Sequence, residues 1–260
     1  MKDFFWQSIL GLVLLLAVAV IAVNPEGLAL ETGSFFEKAV SLPGAGLFFR
    51  GEKKNVKSGE ANQPVIVIDA GHGGNDPGKV GVNGQLEKEI NLSIVRKLKR
   101  YLEMNGVTVV LTREDDKGLY QTGDMHKKSA DMKKRVEIIN QAKPEVMVSI
   151  HQNSYHQPEI SGAQVFYFGK SEEGKIFAQL MQKRFDYVLG EKNTRQAKAN
   201  GNYYLLTHSK PVSLIVEAGF LSNPEEAKKL ETEEYQDKIA WTVAMGILQY
   251  LNMDESDDKK

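Results

Sequence analysis

The sequence predicts an α/β fold: a single domain on a mostly parallel, mixed sheet of about six strands with helices on both faces, preceded by an N-terminal transmembrane helix. Three observations predict it. Short apolar, β-branched runs such as Val65–Ile68, Val146–Ile150 and Val212–Val216 alternate with long stretches of helical periodicity, the pattern of a sheet covered by helices. That alternation fills residues 64–252, a length suited to one domain with a real core. Finally, from Phe4 to Val23 the only polar residues are Gln7 and Ser8, which matches the roughly 20 residues that cross a bilayer core as a helix.

Each element follows in order. Residues 1–24 form the anchor or signal segment. Signal h-regions are shorter, about 7–15 residues, and the one A-x-A, Ala17-Val18-Ala19, lies inside the apolar run, so an uncleaved single-pass anchor is expected; secretion after cleavage is the alternative. Lys2 precedes the span and no Lys or Arg follows until Lys38, which places the N-terminus in the cytoplasm and the rest outside the cell membrane. Residues 25–63, with Pro25, Gly27, Gly33, Pro43, Gly44 and Gly46, read as a linker. The strand Val65–Ile68 ends in Asp69-Ala70-Gly71-His72-Gly73-Gly74. A helix spans Glu87–Asn105 with Ile90, Ile94, Leu98 and Leu102 on one stripe, closed by Asn105-Gly106. A strand at Val107–Leu111 leads to a polar loop over 114–131. A helix at Asp131–Ala142 precedes the strand Val146–Ile150. A strand at Gly162–Phe168 is followed by a helix at Glu172–Leu189, expected to bury Ile176, Leu180 and Phe185 or Val188. A short strand at Tyr203–Leu206, the strand Val212–Val216 and helices at Pro224–Glu231 and Glu234–Leu251 complete the domain. The tail, 253–260, all polar from Asp254 to Lys260, reads as disordered.

Composition removes several function classes. Lys and Arg number 33 against 34 Asp and Glu, so there is no basic excess for nucleic acid. The absence of Cys rules out disulfides, thiolate ligands and a Cys nucleophile. Any metal must be held by His and carboxylates.

Four residues lie where open α/β sheets place ligands, at strand ends or a helix start: His72, Glu87, His151 and Glu217. Two His and one carboxylate compose a catalytic zinc set, and a second carboxylate can act as general base and acid. Each also has a bland reading. His72 can be a turn residue, Glu87 a carboxylate favoured by the helix dipole, and His151 a hydrogen-bonded strand end. Glu217, after an apolar strand, is the hardest to explain structurally. No H-E-x-x-H occurs, so the common zinc-peptidase helix is absent, and from spacing alone both readings stand.

Four segments carry a resemblance: Val67-Ile68-Asp69-Ala70-Gly71-His72-Gly73-Gly74, Leu86-Glu87-Lys88-Glu89-Ile90-Asn91-Leu92, Ser149-Ile150-His151-Gln152-Asn153-Ser154 and Val216-Glu217-Ala218-Gly219-Phe220-Leu221-Ser222-Asn223. In this order they resemble the type 3 family of zinc N-acetylmuramoyl-L-alanine amidases, over about Pro64 to Leu251. The resemblance implies Zn2+ held by His72, Glu87 and His151, with Glu217 catalytic, and hydrolysis of the amide between N-acetylmuramic acid and L-alanine in peptidoglycan. It matches Asn153 to a variable position, and Arg113 and Arg135 to positions read as structural ion-pair residues. The longer connection at 114–134, with Thr194–Lys198, Tyr203–Leu206 and Asn223–Ala227, resembles the germination-specific branch of spore formers. That implies preparation of spore cortex for muramic-δ-lactam formation and an activating lipoprotein partner. The alternatives are a vegetative wall amidase, a non-catalytic peptidoglycan-binding module and a zinc peptidase acting within the stem peptide. His126, His156 and His208 read as solvent-exposed.

Overall fold

The structure is a computed structural model that describes residues 63–190 and 193–253. The expected anchor, the linker up to residue 62 and the tail beyond 253 lie outside the described residues. Among those described, no helix is long and apolar enough to cross a membrane.

The elements run β1 (Val65–Ala70), α1 (Glu87–Met104), β2 (Thr108–Leu111), α2 (Lys127–Ala142), β3 (Val146–Asn153), β4 (Gln164–Tyr167), α3 (Glu172–Leu189), β5 (Lys198–Ala199), α4 (Tyr204–His208), β6 (Val212–Phe220), α5 (Pro224–Leu230) and α6 (Glu233–Leu251). They form the expected α/β domain. The six-stranded sheet has the order β2-β1-β3-β6-β4-β5. β1 is parallel to β2 and β3, β3 is parallel to β6, and β4 runs antiparallel to β6.

The central strands are continuous apolar runs because both faces are covered. Ile66, Ile68, Val148, Ile150, Leu214 and Val216 pack into one core with residues of α1, α3 and α6. Val67 and Met147 point the other way, to Ile139 of α2 and Leu205 of α4. Along α1, Ile94, Leu98 and Leu102 are fully buried, and Gly106 takes a left-handed φ of 76° just past the helix end, a conformation glycine adopts without steric cost.

The structure corrects four expectations. β3 and β6 continue to Asn153 and Phe220, so His151 and Glu217 lie within strands, paired in register; the ladder satisfies their backbones while alternation turns their side chains to one face. α2 begins at Lys127, four residues early, in a segment without apolar periodicity. Tyr203–Leu206 is not a strand. Tyr204–His208 is the one-turn helix α4, which sends Leu205 to the Val67 and Met147 cluster and Leu206 to Phe166 and Ile215. In α3 the buried face is Phe177, Ala178, Met181 and Phe185, whereas Ile176, Leu180 and Val188 are half-buried. Met181 seats closely against Gly246 of α6, where a Cβ would lie 2.5 Å from Sδ.

Candidate metal centre and active site

β1 delivers the chain to a turn in which His72 itself has a left-handed φ of 62°, followed by Gly73 and Gly74 at 134° and 58°. Asp76, four residues on, places Oδ2 3.0 Å from His72 Nδ1. A carboxylate on one ring nitrogen fixes the imidazole and leaves the other free to ligate. That other nitrogen, Nε2, lies 3.2 Å from Glu87 Oε2.

Glu87 occupies the first turn of α1, where the helix end favours a negative charge. Its Oε2 accepts from the backbone N–H of Lys79 at 2.7 Å, and Oε1 accepts from the N–H of Gln152 at 3.0 Å and from Asn91 Nδ2 at 3.4 Å. His151 Nδ1 sits 2.9 Å from Oε1, and the two imidazoles meet edge-on at 4.9 Å. Two glycines leave room for this convergence. A Cβ on Gly78 would lie 2.6 Å from Glu87 Oε2 and 2.7 Å from His72 Cδ2, and one on Gly71 would collide with the His151 ring.

Burial works to raise the Glu87 carboxyl, but hydrogen bonds with His151 and His72, and their charges, hold it far below the usual carboxylate range. Such a carboxylate is suited to hold a cation. One ligand atom from each of His72, Glu87 and His151 lies within 4.8 Å of the others. Around a tetrahedral zinc with bonds of about 2.0–2.1 Å, neighbouring ligand atoms stand roughly 3.3 Å apart. His151 Nδ1 approaches Oε1 at 2.9 Å and His72 Nε2 approaches Oε2 at 3.2 Å, so either oxygen of Glu87 has an imidazole nitrogen near that spacing, and a nitrogen–nitrogen–oxygen set without thiolate suits zinc. The residues present fit the ion.

Glu217 stands beside His151 on β6, 7% exposed. Burial pushes its carboxyl up; His151 opposes this and the charge of Glu87 adds to it. Oε1 accepts from the Tyr203 hydroxyl at 3.3 Å, and Oε2 has no hydrogen-bond partner among the described residues. A buried carboxylate with one oxygen anchored and one free is equipped for proton transfer. The four groups share a cavity of about 360 Å³ with Tyr203 and Tyr120.

Two arginines lie beneath. Arg135 binds Asp69 and Asp131 at 2.6 Å each and donates to the carbonyls of Ala70 and His72 at 2.7 and 2.5 Å. Thr112 and Ser149 donate to Asp69 as well. Burial would raise the Asp69 carboxyl, but Arg135 and these hydroxyls lower it to about 2. Arg135 is thus the ion-pair residue expected. Arg113 is not: among the described residues its guanidinium contacts only backbone carbonyls.

The other candidates fall outside the cluster. Asn153 Oδ1 accepts from the N–H of Ser154. His126, His156 and His208 are exposed, with the His156 ring tilted against Tyr155 and His208 stacked on Tyr204. Asp76 and Tyr203 belong to the site and are new. A carboxylate four residues after a candidate His was a usable signal for Asp76; nothing local marked Tyr203.

The geometry suits metal-assisted hydrolysis, and comparison with known proteins shows the family. Residues 66–249 match the family described as N-acetylmuramoyl-L-alanine amidase. This chain belongs to that family. Among relatives of the amidase is the germination-specific N-acetylmuramoyl-L-alanine amidase of Bacillus subtilis (strain 168), 39% identical over 189 residues, or 72% of this chain and 79% of that one. Among solved structures, the CwlD amidase from Clostridioides difficile in complex with the GerS lipoprotein is similar at a TM-score of 0.71 and 39% identity, covering 74% of this chain and all (100%) of that one. The catalytic domain of CwlV from Bacillus (Paenibacillus) polymyxa var. colistinus is similar at 0.64 and 32%, covering 74% and 100%. The amidase is therefore an enzyme acting on peptidoglycan.

Proposed function

We propose that this amidase is zinc-dependent, with His72, Glu87 and His151 as ligands and Glu217 as general base and acid. The observation that carries the proposal is the convergence of three ligand atoms beside a buried carboxylate oxygen without a partner. When bound, zinc supplies a Lewis acid that polarises the scissile carbonyl and acidifies water. Glu217 Oε2 takes the proton of the attacking water and gives it to the amine of L-alanine as the C–N bond breaks. The glycan keeps a lactyl carboxylate and the stem peptide leaves with a free N-terminus. Tyr203 holds Oε1, so the free oxygen is the one that moves the proton. Digestion of purified sacculi by the zinc-loaded protein, with mass analysis, tests this. Peptides beginning with free L-alanine support it; new termini only within the stem peptide defeat it. Glu217→Gln keeps size and zinc but cannot carry a proton, so turnover should fall by about 10²–10⁴. Turnover within a few-fold of wild type assigns the base elsewhere.

We further propose that the amidase prepares spore cortex for muramic-δ-lactam formation, held at a membrane by Phe4–Val23 with an activating lipoprotein as partner. The similarity to a germination-specific amidase and to an amidase in complex with a lipoprotein supports this reading. So does reach: a flexible linker spans only about 5–6 Å × √n, so residues 25–63 would keep the active site within a few tens of ångströms of the membrane. Loss of the protein should leave vegetative growth normal and yield cortex without muramic-δ-lactam. Normal lactam with impaired daughter-cell separation would mark a vegetative wall amidase instead. A mature N-terminus near Asn24 would show that the apolar segment is removed.

A further inference from the structure

Arg113 is 3% exposed and has no carboxylate within ion-pair distance among the described residues. A buried cation that spends its donors on neutral carbonyls is costly to keep, so where those carbonyls lie is informative. Nε donates to Ala70 O at 2.8 Å, and Nη1 to Asp115 O at 3.0 Å. The remaining nitrogen, Nη2, donates to two: Gly71 O at 3.0 Å and Lys88 O at 2.8 Å. Gly71 immediately precedes His72, and Lys88 immediately follows Glu87. The side chain passes close beneath the His72 turn, where a Cβ on Gly73 would lie 3.0 Å from Arg113 Cδ and Nε. Arg135 also supports that turn, but its charge is matched by Asp69 and Asp131, and among the described residues its hydrogen bonds go to Asp69, Ala70, His72 and Asp131, none of them on α1.

We propose that Arg113 is a positioning residue of the metal centre, bracing the turn that carries His72 against the helix start that carries Glu87 and so setting the separation of the two ligands. The brace also steadies a turn in which His72 holds a left-handed φ of 62°, a backbone conformation that a residue with a side chain adopts at a cost. Only a planar fork does this. A lysine keeps the charge, but its single nitrogen cannot satisfy three segments at once. The proposal rests on His72, Glu87 and His151 holding zinc.

The test uses the full chain with Arg113→Lys and Arg113→Gln, probed with zinc alone and, separately, cobalt(II). Zinc affinity, measured by competition with a chelator, should fall about 10–100-fold in both variants, as for other groups that orient metal ligands. The visible spectrum of the cobalt form should change, while KM for peptidoglycan fragments at saturating zinc stays at the wild-type value. Zinc affinity within twofold of wild type overturns the proposal, even if thermal stability drops, because the role is then structural. A raised KM with unchanged zinc affinity overturns it in favour of substrate contact. If the variants fold only with zinc present, the half-time of zinc release to chelator takes the place of affinity, and an unchanged half-time overturns the brace. Wild-type protein that binds no zinc removes the underlying metal assignment instead, an outcome distinct from failure of the brace.

Discussion

Gly71 separates the last residue of β1 from His72, and a Cβ on it would lie 2.7 Å from His151 Nδ1 and nearer still to Cε1 and Nε2. Carbon contacts with ring atoms normally open to about 3.5 Å or more, so in Gly71→Ala the imidazole must retreat by about 1 Å. The backbone cannot yield instead, because the N–H of Gly71 is bonded to Ile150 O at 3.1 Å, which ties it to the strand that carries His151. Gly71 is not among the residues with positive φ, so alanine brings no backbone strain and the collision is isolated. Metal–ligand distances tolerate about 0.2 Å, and a 1 Å displacement at a reacting centre costs about 10²-fold. The variant should therefore lose at least about 100-fold in zinc affinity and in turnover. The global cost should stay within the 1–3 kcal/mol typical of overpacking. Chelator competition and urea unfolding measure the two separately. Gly201→Ala, with nothing within 4 Å of its Cβ, is the control and should match wild type. Zinc affinity in Gly71→Ala within threefold of wild type would refute the steric account.

Two further outcomes follow from the hydrogen-bond network. Tyr203→Phe removes the hydroxyl that holds Glu217 Oε1; a hydrogen bond to a charged group is worth about 1.5–3 kcal/mol, so turnover should fall by roughly 10- to 100-fold with zinc content unchanged. In the Glu217→Gln background the same change should have little further effect, and additive losses would mean that Tyr203 acts independently. Asp69 is held at about 2 in the fold, against about 3.9 unfolded. A depressed carboxyl contributes stability that is present above pH 4 and is lost as pH falls through 2. Asp69→Asn leaves Arg135 without one of its buried partners and should cost about 3–5 kcal/mol near neutrality, with a smaller loss between pH 5 and pH 2 than wild type shows; equal pH dependence would place the titrating group elsewhere.

What the sequence by itself determined was local. The apolar runs of β1, β3 and β6 and the four-residue stripe on α1 are periodicities that a single segment carries, and helix starts and strand ends pointed to His72, Glu87, His151 and Glu217 as candidates. The tertiary structure decided what depends on segments far apart in the chain. Strand ladders extended β3 and β6 past polar residues that looked like loop, and packing to two clusters turned Tyr204–His208 into a helix despite its β-rich composition. Adjacency across the sheet decided that Glu217 stands beside His151, that Tyr203 reaches its carboxylate, and that Arg113 serves the metal turn rather than an ion pair. Gly71 shows the division most plainly. In the sequence it is one glycine of a turn, while the atom that forbids a side chain there belongs to His151, 80 positions away, and comes near only because parallel pairing sets β3 beside β1.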